Sequence, residues 1–294
     1  MKMKGLREIE AEEEKELEVK DVFIDKMRIV GNFKEDGKEL FARLVQREIG
    51  IELMREGFEP RGKIFGEVDF EYSQQKSKSL GIRPFWMEFN PQKLTEEQMK
   101  FLKEKIVGLL WNVEFTRLDI TFDLNFNPSN FEFIQDNPTK MNVWFTQDRK
   151  VETMYFGVRG AEKFLRIYNK KEQLKEEFGQ EVEDETLWRL EWELRRNAVK
   201  ILDDDKKTLF DGLKIVKPDL SNIEKIQDRA MLFYLQHHPE GWSELARNTR
   251  YKYREMLKKC KGTDVTGLFI EAYKKKKSDL RKEVADWLSY SNKH

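Results

Sequence analysis

Residues 164–171 read FLRIYNKK, and a strand through them sends Leu165 and Ile167 to one face and Arg166, Tyr168 and Lys170 to the other. A tyrosine between two cations on a polar strand face is a candidate nucleophile. A free phenol titrates near pH 10, so only about 0.1% is phenolate at neutral pH, and forming the phenolate costs about 4 kcal/mol. Nearby positive charge lowers that cost. The plain alternative is a surface tyrosine on a salt-bridged sheet.

Carboxylates stand on the same kind of face in three other segments: Glu88 in IRPFWMEFN, Asp119 (with Asp123) in FTRLDITFDL, and Glu191 (with Glu193) in WRLEWELRR. Oxygen donors of this type suit Mg2+ or Mn2+. Zinc is disfavoured by a single Cys and three His, of which His237 and His238 are adjacent and His294 is terminal. A metal on Glu88, Asp119 and Glu191 or Glu193 would polarise a phosphate, and Tyr168 would attack phosphorus. Arg166 and Lys170 would balance charge on the non-bridging oxygens, with Arg189 as a further catalytic candidate. A phosphotyrosine ester keeps the bond energy that hydrolysis would discard, so this chemistry suits an enzyme that cuts and reseals DNA. The competing reading of each acid is a solvated face neutralised by Arg117 and Arg189. Alternation cannot choose between Glu191 and Glu193, or between Asp119 and Asp123.

The elements that must position these groups are legible in the periodicity. Strands are predicted at 25–33, 63–72, 82–90, 115–124 and 188–196, and at 164–171 running on into a helix. A hairpin is predicted from 141–146 and 152–159. Helices are predicted at 34–48 and at 94–110, where Thr95 is an N-cap. QQKSKS reads as a loop and 127–138 as turns. After residue 200 the strand signals stop, and 222–294 reads as helices broken at Pro239–Gly241 and Gly262. The expected fold is α+β: a central, mostly antiparallel sheet with flanking helices, then a helical C-terminal region. The expected units are an acidic arm at 1–20, a catalytic part at 21–200 and a helical part at 201–294.

Of the 294 residues, 39% are hydrophobic, 12% aromatic and 37% charged, so a folded protein with a real core is expected despite the high charge. Lys plus Arg and Asp plus Glu both total 55, so global charge does not announce nucleic acid. Local charge does: residues 247–282 hold 13 Lys or Arg against 4 Asp or Glu, concentrated in RNTRYKYR (247–254) and KKKK (274–277). Arg247, Asn248, Arg250, Tyr251, Lys252 and Arg254 are the candidate DNA contacts, and a solvated helix face is the alternative, stronger for 274–277. The lone Cys260 excludes an internal disulfide and fits a reducing cytoplasm. No apolar run of about 18 residues and no signal-peptide core are present, so a cytoplasmic, non-membrane protein is expected.

Several long motifs resemble one family. FTRLDITFD, KMNVWFTQDRKVETMYFGVRG, FLRIYNKKEQ and LWRLEWELRR, with MRIVGN, MEFNPQKLTEEQM and the YKY-containing tail, resemble the Rep-trans initiators of staphylococcal-type rolling-circle plasmids. The resemblance runs from about residue 22 to near the C-terminus. It implies a site-specific DNA nicking and closing enzyme acting at a double-strand origin with an inverted repeat. It places the nucleophile at Tyr168 and implies a divalent ion, a homodimer and a host superfamily 1 DNA helicase as partner. It also associates origin discrimination with the C-terminal region. The chain lacks the His-hydrophobic-His metal motif of many other rolling-circle initiators. Two other readings stay open: a non-catalytic origin-binding regulator, and a hydrolytic metal-dependent nuclease in which Tyr168 is structural. A tyrosine recombinase is less favoured, because no His is paired with Arg in that class's spacing.

Overall fold

The alternating segments assemble into one large sheet, described by a computed structural model for residues 16–46, 59–137, 139–180, 186–238 and 241–292. In chain order the elements are β1 (Val19–Phe33), α1 (Gly37–Leu44), β2 (Arg61–Ile64), β3 (Val68–Tyr72), α2 (Gln74–Leu80), β4 (Phe85–Phe89), α3 (Glu96–Lys105) and β5 (Leu110–Leu124). Then come β6 (Glu132–Gln135), β7 (Met141–Phe145), β8 (Val151–Phe156), β9 (Lys163–Asn169), α4 (Lys170–Phe178) and β10 (Trp188–Arg195). The chain closes with β11 (Leu213–Pro218), α5 (Ile226–His237), α6 (Gly241–Glu244), α7 (Arg247–Lys259), β12 (Gly262–Asp264) and α8 (Thr266–Ser289).

Nine strands pair in the order β2-β3-β4-β1-β5-β10-β9-β8-β7, and a small sheet has the order β12-β11-β6. The strand pairings among the described residues are antiparallel. The α+β class with an antiparallel sheet, flanking helices and a helical C-terminal region is therefore observed. No described helix is long and apolar enough to cross a membrane.

The two longest strands, β1 and β5, lie side by side at the centre and carry the core on one face. Leu118, Ile120 and Phe122 are fully buried, as are Ile24, Met27 and Ile29. Helix α8 closes that face. Phe269 packs on Phe122 and Phe210, and Trp287 lies 4.7 Å from Phe89 between ring centroids. Burying an aromatic or aliphatic side chain of this size contributes roughly 1.5–3 kcal/mol, so α8, with Phe269, Tyr273, Leu280 and Trp287 all buried, is a principal support of the sheet. Helices α5 and α7 instead share a small second core of Ile223, Leu232, Leu235, Tyr253 and Leu257.

Several expectations need correction. The strand expected over 63–72 is a hairpin, because Phe65 and Gly66 both adopt positive φ (55° and 74°) at the centre of a β-turn in which the Glu67 amide donates to the Ile64 carbonyl. QQKSKS is not a loop but helix α2. The Ser73 hydroxyl accepts from the Lys76 amide at its start and Gly81, at φ 64°, ends it. The first strand starts earlier than expected, at Val19, and the turn-rich stretch contains β6. Strand signals do not stop at residue 200, since β11 pairs with β12 on one side and with β6 on the other. Gly262 lies where an added Cβ would fall 2.2 Å from the Lys217 carbonyl oxygen, so glycine permits this pairing. The acid-rich residues 1–15, residues 47–48 of the expected first helix, and Pro239 lie outside the described residues.

Candidate functional site

The register of the sheet arranges its polar face into cross-strand rows. One row runs Trp144, Thr153, Tyr168, Arg189, Asp123 from β7 to β5. The next runs Asn142, Tyr155, Arg166, Glu191, Thr121, and a third joins Phe164, Glu193, Asp119 and Lys26. Paired residues in such ladders project to the same side. Tyr168, Arg166, Arg189, Asp119, Glu191 and Glu193 thus share one face, and Glu88 reaches it from β4 opposite Arg28. Directly after Tyr168 the strand turns into α4, capped by Asn169, whose side chain accepts from the Glu172 amide. Lys170 is therefore the first residue of that helix. Its ammonium lies 6.0 Å from the Tyr168 ring centroid and donates to Gln173.

Every acid on this face is held by a cation. Arg117 forms a fork on Asp119, with Nε to Oδ1 at 2.7 Å and Nη2 to Oδ2 at 2.6 Å. The same guanidinium reaches Glu193 at 2.9 Å and Glu88 at 3.4 Å. Glu88 is also bound by Arg28 at 2.8 Å, and Glu193 by Arg195. Arg166 donates to Glu191 at 2.7 Å and lies 4.6 Å over the Tyr168 ring. Arg189 forks onto Asp123 at 2.6 and 2.9 Å and approaches Asp25 at 3.5 Å. These charge-assisted pairs fix the side chains in one geometry.

Tyr168 is only 7% exposed. Burial raises its phenol above the ordinary value, and Glu191 adds to that, against the opposing pull of Arg189 and Arg166. The resting side chain is therefore a neutral phenol, and the expectation that cations favour phenolate holds only for that opposing part. Asp119 is pushed up by burial and by its neighbours Glu191 and Glu193, against Arg117. Glu88 goes the other way: burial is outweighed by Arg117, Arg28 and Lys26 together. Burial lowers Lys170, helped by Arg189.

The donor set bears on a metal in two ways. The crowded, raised Asp119 and the buried Thr121 hydroxyl, which has no hydrogen-bond partner, mark oxygen donors that a hard cation would satisfy. Yet Glu88, Asp119 and Glu193 converge on Arg117, and among the described residues no three His, Cys, Asp or Glu side chains are arranged to hold an ion. By chemistry these are the oxygen donors a hard divalent cation takes, and in this structure Arg117 stands among them.

Sequence reasoning missed Asp25, which faces both Arg189 and Tyr168. A register shift between Ile24 and Lys26 displaces Asp25 from simple alternation, so no period-two signal could place it. Arg28 was overlooked too, although it alternates with Met27 and Ile29.

The basic tail divides. Arg247, Arg250, Tyr251 and Arg254 on α7 line a groove of about 1490 Å3, whose other wall is β6 and the edge strand β7. Asn248 is exposed nearby. Lys252 instead binds Asp228 at 2.6 Å beside the buried Tyr253, which donates to the same carboxylate. In 274–277, Lys274 and Lys275 are exposed on α8, Lys276 is half-buried and pairs with Asp21, and Lys277 is buried.

Residues 26–110 match a family model described as "Replication initiation protein, N-terminal", and residues 130–222 match the Rep_trans model, described as "Replication initiation factor". One replication initiation protein of Staphylococcus aureus is 36% identical over 90% of this chain and 83% of its own length, and another is 34% identical over 91% and 85%. A solved rolling circle replication initiator protein from Geobacillus stearothermophilus is similar over 76% of this chain and 97% of its own, at 13% identity and a TM-score of 0.41.

Proposed function

Since the chain belongs to the Rep-trans family of replication initiation factors, we propose that it starts plasmid rolling-circle replication by nicking one strand at a double-strand origin and staying joined to it through Tyr168. The observation that carries this reading is the setting of Tyr168: a buried phenol with Arg166 over its ring, Arg189 paired across the ladder and Glu191 in the adjoining row. The phenol oxygen attacks phosphorus, the bond to the 3′ oxygen breaks, and the 5′ phosphate becomes an ester of Tyr168. The free 3′ hydroxyl primes synthesis, and the reverse attack closes the circle. The phenol proton leaves toward the acids, where Glu191 acts most strongly on Tyr168. Arg166, Arg189 and Lys170 balance the charge on the non-bridging oxygens, and Arg166 and Arg189 stay protonated throughout because burial is outweighed by their acidic partners.

Glu88, Asp119, Glu191 and Glu193 would hold Mg2+ or Mn2+, which supplies Lewis-acid polarisation of the phosphate when bound. Arg247, Asn248, Arg250, Tyr251 and Arg254 contact origin DNA on this reading, while Lys252 acts mainly by bracing Tyr253 and Asp228. The working unit is a homodimer, and a host superfamily 1 helicase unwinds the duplex behind the nick. The test is Tyr168→Phe on supercoiled plasmid carrying the cognate origin. Nicking and the protein–DNA adduct should disappear while origin binding persists. An adduct that survives the substitution, or full-rate cleavage in EDTA, would remove the nucleophile or the metal assignment respectively.

A further inference from the structure

The row that contains Tyr168 continues past the chemistry. Thr153 on β8 is its direct partner, and Trp144 on β7 is the partner of Thr153. Trp144 therefore stands on the same face as Tyr168, two strand spacings of about 4.8 Å away. It is 62% exposed and lies on the edge strand. That edge is also one wall of the α7 groove, and across the groove stands Tyr251, 66% exposed. Five cations border it: Lys140, Arg247, Arg250, Arg254 and Lys258. The acids there are Glu132, Asp136 and Glu255. Glu255 is paired with Lys258 at 3.1 Å, and burial pushes Glu132 up to about 7. Two highly exposed aromatic rings in a cationic trough are what the interior of a folded protein avoids and what unpaired bases use. The groove's volume exceeds the roughly 300–1,000 Å3 of ordinary small-molecule sites.

We propose that Trp144 and Tyr251 are base-stacking residues for single-stranded DNA, which crosses from Tyr168 over β8, turns at Trp144 and runs along the cationic wall of α7. The path joins the cutting face to the helix that carries the candidate origin contacts. A step of two strands is about three nucleotides at duplex spacing, and fewer in a stretched strand. The inference rests on Tyr168 as the nucleophile only for naming which end of the path is cut.

The test uses the full chain carrying Tyr168→Phe, so that no cleavage intervenes, and an oligothymidylate of about twenty nucleotides as probe. Anisotropy measures affinity and tryptophan emission measures stacking. Trp144→Leu and Tyr251→Ala should each weaken binding roughly tenfold. Trp144→Leu should also remove most of the emission quenching, whereas Trp111→Leu, at a site likewise exposed (53%) but on β5, should retain it. A duplex of the same length that lacks the origin sequence should compete poorly. Binding by Trp144→Leu within about twofold of its parent, or equal competition by the duplex, would overturn the proposal. Because binding is read without cleavage, this result is independent of whether an adduct forms at Tyr168.

Discussion

The polar face of the nine-stranded sheet and the basic stretches of α7 and α8 are both rich in charge, and they use it in different ways. On the sheet, Arg117, Arg166 and Arg189 are each held by named carboxylates at 2.6–2.9 Å, and Asp119, Glu191 and Glu193 are buried among them. On α7, Arg254 rests over Trp242 at 5.7 Å and borders an open groove. Helix α8 does both, with Lys274 exposed and Lys277 donating from a buried position to the Asp204 and Lys207 carbonyls at 2.5 and 3.0 Å. Charge density in a sequence does not separate these uses. Burial and partner geometry do. A closed network sets the shape of a reaction centre, and an open row of cations offers its charge to a polyanion.

The comparison can be broken most forcefully at Arg117. Replacing it with Leu leaves Glu88, Asp119 and Glu193 without the guanidinium that joins them. Removing one partner of a buried ion pair costs about 3–5 kcal/mol, so a loss of that size is expected in urea unfolding. A loss below about 1 kcal/mol would mean that the acids are solvated and the network is open. Lys277→Ala should cost about 1.5–3 kcal/mol, as hydrogen bonds from a charged donor do. The same change at Lys274 should stay within about 0.5 kcal/mol, and equal effects would erase the division within α8. The smallest change in stability is expected for Arg254→Gln. That variant should instead lower the salt slope of DNA binding by about 1, if one phosphate contact is lost.

The central strands were legible because each buries one face. From Leu118 onward in FTRLDITFDL, and throughout WRLEWELRR, the apolar set alternates, and Leu118, Ile120, Phe122, Leu190 and Leu194 are all buried as expected. A helix after the Tyr168 strand was expected, but from residue 171 onward; the switch comes earlier, at Asn169, whose side chain caps α4. What stayed hidden depended on long-range pairing. Strand β12 is three exposed residues, GTD, and exists only because β11 lies beside it. Helix α2 buries no residue and so carries no apolar stripe, although Ser73 and Gly81 marked its ends. At the site, residue types gave the correct face for Tyr168, Arg166, Glu88, Asp119, Glu191 and Glu193. They could not show that one guanidinium would bridge three of the acids, because Arg117, Glu88 and Glu193 come from three strands. Nor could they show that Tyr253, within the basic run, points inward to Asp228 while Tyr251 faces solvent.

The most direct test of the central claim is the identity of the residue joined to DNA. After reaction with origin-bearing supercoiled plasmid and Mg2+, nuclease trimming and proteolysis, mass spectrometry should find the nucleotide phosphate on the peptide that contains Tyr168. A nucleotide on any other tyrosine, or a nicked plasmid with no linked peptide at all, would contradict the account.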